Sequence, residues 1–277
     1  MKKSVISLFI IIISFSCIRI KFTEKDVFSP KKEIKINGKF AYRQLFIREN
    51  DSVSLEAWYL SKPGAKANII FFHGNGGNLN NVIPFFNMMG DSLNADIFAV
   101  TYNGYGLSDG SPTIQGIIED GDAAYDYFKS NFDNGLPVYA IGYSLGGYAV
   151  LNLATRHKVD GVVTVSTFSS SRDLMVYLKK KKAPFILRPF LKLVVDEKVF
   201  RLDNVSLSKK LQIPSLFIHG SKDDFIPPYM CQKLYDSCSS SDKKQQYITG
   251  SDHISIMHNT RYLSLLVKDI RDLIFKR

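Results

Sequence analysis

Ser144 stands in the run Gly142-Tyr143-Ser144-Leu145-Gly146, a G-x-S-x-G pattern. A serine hydroxyl is a weak nucleophile until a neighbouring base takes its proton. The base in turn needs a partner that fixes its tautomer. Flanking glycines permit a turn tight enough to lift the serine Oγ clear of its surroundings, provided a strand leads in and a helix leads out. Both conditions are met here: Val138-Tyr139-Ala140-Ile141 reads as a strand and residues 145–155 as a helix. The start of that helix also aims backbone N–H groups at developing negative charge. Without this setting, the same five residues would describe an ordinary glycine-lined turn.

Two carboxylates and two histidines downstream can complete such a relay. Asp223 and Asp224 follow the apolar run 214–218 in His219-Gly220-Ser221-Lys222-Asp223-Asp224, the end of a strand. Asp223 is favoured as the orienting acid and Asp224 is read as its loop neighbour. His253 lies a short polar loop beyond the strand 245–249 and is favoured as the base. His258 sits near the start of the last helix, where a capping or surface role is more natural. His157 and His219 read as structural histidines. The tetrahedral intermediate needs two N–H donors aimed at its oxygen. One is expected from Leu145, the residue after the nucleophile. The other is expected from His73-Gly74-Asn75-Gly76-Gly77-Asn78, whose glycines allow close backbone approach, with the Asn75 N–H favoured over that of Gly76.

The elements that must position these residues follow from periodicity. Segments 40–48 and 52–60 form a hairpin about the polar break at 49–51. Strands 68–72, 96–102, 137–143, 161–168, 214–218 and 245–249 then alternate with helices over 80–93, 113–132, 145–155, 228–237 and 259–275. This alternation predicts an α/β fold, a mostly parallel sheet covered by helices on both faces, with its active site beyond the carboxyl ends of the strands. Segment 171–212 interrupts the rhythm. Its lysines at 179–182 and the apolar stretch 183–195 predict a small cap of one or two short helices over the site.

Several of these segments resemble the small α/β-hydrolases of the serine aminopeptidase-like, lysophospholipase-like and acyl-protein thioesterase-like types. The resemblance rests on the loop 73–78, on Asn103-Gly104-Tyr105-Gly106-Leu107-Ser108-Asp109-Gly110-Ser111-Pro112, on the nucleophile turn, on Asp223 ahead of Ile226-Pro227, and on His253 in the order serine, acid, histidine. It runs from about Ser52 to the C-terminus and implies the α/β-hydrolase fold with a Ser144, Asp223, His253 triad. It does not specify a substrate.

The N-terminus has a different character. Lys2 and Lys3 precede an apolar run, 5–15, broken only by Ser7 and Ser14; Ser16, Cys17 and Arg19 follow. A basic start, a short apolar run and a small residue describe a secretory signal, and the run is short for a spanning helix. The end Ser14-Phe15-Ser16-Cys17 resembles a bacterial lipoprotein signal, which implies lipidation of Cys17 and a membrane-anchored protein of the cell envelope, with plain secretion as the alternative. The expected organisation is a signal over 1–17 and one hydrolase domain over 30–277.

The formal net charge of +10 favours anionic partners, yet zinc-finger spacing and RNA-binding signatures are missing from the sequence, so nucleic acid is not an expected partner. Cys231 and Cys238 fall seven residues apart in a predicted helix, a separation of roughly 10 Å that is too great for a disulfide. The expected reaction is acyl transfer to water from a carboxylester or thioester, through an acyl-enzyme, with no metal or organic cofactor. A peptide substrate and a catalytically inactive binding protein are the alternatives. An aspartate-nucleophile dehalogenase or epoxide hydrolase is excluded by Ser144.

Overall fold

The computed structural model describes residues 18–32, 42–48 and 53–275. Eight strands form the main sheet: β2 (Arg43–Arg48), β3 (Ser54–Leu60), β4 (Ala67–Phe72), β5 (Ala95–Val100), β6 (Val138–Tyr143), β7 (Gly161–Val165), β9 (Ser215–Gly220) and β10 (Lys243–Ile248). Their spatial order is β10-β9-β7-β6-β4-β5-β3-β2. The contacts from β10 across to β5 are parallel, while β5-β3 and β3-β2 are antiparallel. The hairpin expected from the sequence is therefore the antiparallel edge. The nucleophile strand β6 lies between β4 and β7, near the middle of the sheet.

The pleat divides the core into two layers. Along β4, Ile70 and Phe72 face one layer, while Ile69 and Phe71 face the other; β6 does the same with Val138 and Ala140 against Tyr139 and Ile141. Such double-faced strands are nearly all apolar; β4 and β6 are buried throughout, and the one polar side chain of β4, Asn68, donates to Asn134 Oδ1. The first layer packs under α2 (Ile114–Asn131), α3 (Gly146–Arg156) and α6 (Tyr229–Ser237). The second packs under α1 (Ile83–Ser92), the short α7 (Ser255–His258) and α8 (Thr260–Ile274). Cys231 and Cys238 are buried in the first layer as free thiols.

Two features depart from the sequence reading. Segment 171–212 holds α4 (Ser171–Lys182) and α5 (Asn204–Ser208), and between them a strand, β8 (Leu191–Val195). That strand pairs in parallel with β1 (Ile18–Phe22), Ile20 opposite Leu193 and Phe22 opposite Val195. The folded unit therefore begins by Ile18 rather than at residue 30. Residues 18–29 are held by this pairing, by the Glu24 carboxylate accepting from the Ile114 N–H at 2.8 Å, and by the Ser29 N–H donating to Asn75 Oδ1 at 2.9 Å. Cys17 and the expected signal over 1–17 lie outside the described residues. Among the described residues no helix is long and apolar enough to cross a membrane.

Packing around the nucleophile turn leaves no room for side chains at its glycines. A Cβ on Gly142 would lie 2.2 Å from the Gly146 carbonyl oxygen, and one on Gly146 would lie 2.2 Å from the Phe72 carbonyl oxygen. Gly121, inside α2, has open space where its Cβ would be. We expect Gly146→Ala to lower unfolding free energy by about 1–3 kcal/mol through overpacking. Gly121→Ala should raise it by about 0.5–1 kcal/mol through helix propensity. Urea unfolding of the two variants beside the parent checks both signs.

Candidate active site

Ser144 sits between β6 and α3 with φ +53°, a left-handed conformation that a non-glycine residue adopts only when its surroundings enforce it. Its N–H donates to the Val165 carbonyl at 2.8 Å, and its own carbonyl accepts from the Gly147 N–H at 3.0 Å and the Thr167 hydroxyl at 3.2 Å. These bonds hold the turn from β7 on one side and α3 on the other. The hydroxyl is thereby presented at the carboxyl end of the sheet.

The three residues singled out by sequence converge there. His253 Nε2 lies 3.2 Å from Ser144 Oγ, and His253 Nδ1 lies 2.7 Å from Asp223 Oδ2. Asp223 is almost wholly buried. Its Oδ1 accepts from the N–H groups of Phe225 (3.0 Å) and Ile226 (2.8 Å). Burial alone would raise the Asp223 pKa. The hydrogen bonds from His219 and His253, the charge of a protonated His253 and the Ile226 N–H outweigh it, so the carboxyl stays well below the usual carboxylate range. With Asp223 ionised, Nδ1 of His253 carries the proton and Nε2 is free to accept from Ser144.

The supporting shell includes His219, read from sequence as a structural histidine, and Tyr143, which the sequence did not single out. His219 is fully buried, its Nε2 2.8 Å from the Ile226 carbonyl and 3.3 Å from Asp223 Oδ2. Both neighbours accept, so this nitrogen carries the proton and His219 positions the acid loop. The Tyr143 hydroxyl donates to the His253 carbonyl at 2.6 Å, tying the histidine loop to the strand that carries Ser144. Tyr143 occupies a variable place in G-x-S-x-G, so its pattern carried no signal for this bond. Asp224 is exposed and paired with Lys181 at 2.7 Å. His258 lines a neighbouring cavity, and burial lowers its pKa.

Asn75 and Leu145 both border Ser144 at the wall of a cavity. Among the described residues, neither backbone N–H is spent on a hydrogen bond. The Asn75 side chain is engaged at both ends: Nδ2 donates to the Val27 carbonyl at 2.8 Å, while Oδ1 accepts from the N–H groups of Ser29 and Gly76 and from the Tyr105 hydroxyl. The loop after β4 is thus pinned from the N-terminal segment. His73, at the start of that loop, donates from Nδ1 to the Gly74 carbonyl at 2.7 Å; burial lowers its pKa to about 4 and keeps it neutral.

Ser144 lies where two cavities meet. One, of about 650 Å³, is walled by Leu174, Met175 and Leu178 of α4, by Ile20 and Phe22 of β1 and by Leu193 of β8, among other apolar side chains. The other, of about 740 Å³, is lined by the loop 73–78 and by Asp252, His253 and Lys31. A substrate spanning the serine would place an apolar part in the first and a polar part in the second.

The ionised Asp223 contributes stability that can be read without any substrate. Its folded pKa is depressed, so the contribution is full above the unfolded value of about 3.9 and drains away as pH falls from there toward the folded value. In urea unfolding, the stability difference between the parent and Asp223→Asn should be constant from pH 7 to pH 5 and shrink below about pH 4.

Comparison with known proteins agrees with this architecture. A family model described as the alpha/beta hydrolase fold matches residues 67–198. The chain is 29% identical over 222 residues to the uncharacterized membrane protein YNL320W of Saccharomyces cerevisiae, covering 79% of this chain and 76% of that one. It is 27% identical over 279 residues to the alpha/beta hydrolase domain-containing protein WAV2 of Arabidopsis thaliana, covering 92% and 87%. Among solved structures, the Pyrococcus furiosus esterase Pf2001 superposes with a TM-score of 0.72 at 16% identity, over 90% of this chain and 97% of the esterase. Sheet order, the turn at Ser144 and these matches together show that this chain has the α/β-hydrolase fold.

Proposed function

We propose that this protein is a serine hydrolase that cleaves carboxylesters or thioesters carrying an apolar acyl chain. The observation that carries the reading is the hydrogen-bonded line from Asp223 through His253 to Ser144, set at the junction of an apolar and a polar cavity. His253 Nε2 takes the Ser144 proton as Oγ attacks the carbonyl carbon. Asp223 holds the imidazole and stabilises its charge. The N–H groups of Asn75 and Leu145 receive the oxyanion. The protonated His253 then gives its proton to the leaving oxygen or sulfur. Water, deprotonated by His253, attacks the acyl-enzyme and returns the free serine.

The predominantly apolar wall of the first cavity favours an acyl ester or thioester over a peptide held by its N-terminal amine. Esterase neighbours such as Pf2001 lend support at the level of fold. The membrane placement expected from residues 1–17, with lipidation at Cys17, goes with this reading; one relative bears the name membrane protein.

The test is covalent labelling by a fluorophosphonate of the parent beside Ser144→Ala, followed by turnover of esters of graded acyl length. The parent alone should label. Ser144→Ala should lose on the order of 10⁴–10⁶ in turnover, and longer acyl chains should lower KM until the apolar cavity is filled. A folded parent that neither labels nor turns over would reject the reading.

A further inference from the structure

The cap segment presents a face whose chemistry does not belong to catalysis. After α4, a short 3-10 turn, Phe185–Phe190, carries Phe185 at 79% exposure and Ile186 at 75%, with Leu187 beside them also exposed. Side chains this large are seldom left so open unless something covers them. Around them the chain is uniformly basic. Between Lys179 and Val195 stand Lys179, Lys180, Lys181, Lys182, Arg188 and Lys192, with no Asp or Glu. On the paired strands β1 and β8, Arg19 lies opposite Lys192, and both are exposed, as is Lys21 two positions along on the same face of β1. The alternate residues Ile20, Phe22, Leu191 and Leu193 turn inward and wall the apolar cavity.

Two further observations fix what this face meets. Lys182, Ala183 and Pro184, immediately before Phe185, line the apolar cavity, so the cavity reaches this face. The chain also joins the face directly from its apolar N-terminal run, since residues 5–15 precede β1 by only a few positions. Exposed apolar tips beside several cations, in a stretch 179–195 where Lys181 is paired with Asp224, match the interfacial region of an anionic bilayer. There the rings enter the acyl boundary, and lysines and arginines reach phosphates along their flexible stems.

We propose that the surface formed by Phe185, Ile186 and Leu187, together with Lys180, Lys182 and Lys192, docks the folded domain onto an anionic phospholipid bilayer, with the mouth of the apolar cavity against the membrane. Docking of this kind adds to any tether that residues 1–17 supply. It also sets the orientation of the domain, which a tether alone leaves free. An acyl chain could pass from the bilayer toward Ser144 without crossing water. The docking itself requires no catalysis, so its failure is separable from failure of the hydrolase reading.

The chain has a single tryptophan, Trp58, buried in the core, which makes an added one easy to read. The full chain carrying Phe185→Trp would be reconstituted with vesicles of phosphatidylcholine, with or without phosphatidylglycerol, containing lipids brominated on their acyl chains. Lys158→Trp, ahead of β7 at the opposite end of the sheet, is the control. The emission added at position 185 should be quenched severalfold more with phosphatidylglycerol than without, and raised salt should reverse this gain. Emission added at position 158 should stay unquenched. Adding Lys180→Glu, Lys182→Glu and Lys192→Glu should abolish the gain; the salt titration on the unaltered cations tests the same point if that variant fails to fold. Equal quenching at both positions, equal quenching in the two lipid mixtures, or none at position 185 would overturn the proposal. So would a blue-shifted emission at position 185 before vesicles are added, accompanied by a dimer in sedimentation, since a second copy would then own the face.

Discussion

The approach of α3 to the end of β4 governs the site. At Gly146 the helix backbone comes so near the Phe72 carbonyl that even a methyl group would collide with it. This contact brings Leu145 beside the loop that follows β4, and Leu145, Asn75 and Ser144 border one cavity. It also forces the reversal at Ser144, whose positive φ is held by bonds to β7 and α3. A turn with larger residues at 142 and 146 would push helix and strand apart and move the Ser144 hydroxyl away from His253. Helix–sheet packing and the geometry of the proposed chemistry are in this sense one constraint.

Much of the sheet and the placement of Ser144, Asp223 and His253 were legible because each leaves a local trace. Strands buried on both faces are apolar at nearly every position, as β4 and β6 are apart from Asn68, and the glycines of the turn are required sterically. Asp223 and His253 were legible by their place after strands, since ends of neighbouring parallel strands must share one edge. The β1–β8 pair was not legible. Its strands are half-exposed, with alternating basic and apolar residues, and lie more than a hundred and fifty positions apart in the chain. The tie between Asn75 and residues 27–29 was hidden for the same reason: an asparagine in a loop carries no mark of the backbone groups it will meet.

These hidden contacts change how the N-terminal region is understood. Sequence character divides it into an apolar leader and a polar stretch before the domain. The structure gives the stretch two tasks: β1 supplies a wall of the apolar cavity, and Val27 and Ser29 brace the loop that bears Asn75. The cap segment and the apolar cavity therefore share the strand pair β1–β8.

The central claim is that Ser144 becomes acylated during turnover. It is tested most directly by mixing the parent with an excess of a p-nitrophenyl ester, quenching in acid within the first turnovers, and mapping the mass of the digested protein. The account predicts an added acyl mass on the peptide containing Ser144, together with a burst of p-nitrophenol no larger than the amount of protein. Hydrolysis without any adduct, or with an adduct on a different residue, would contradict it.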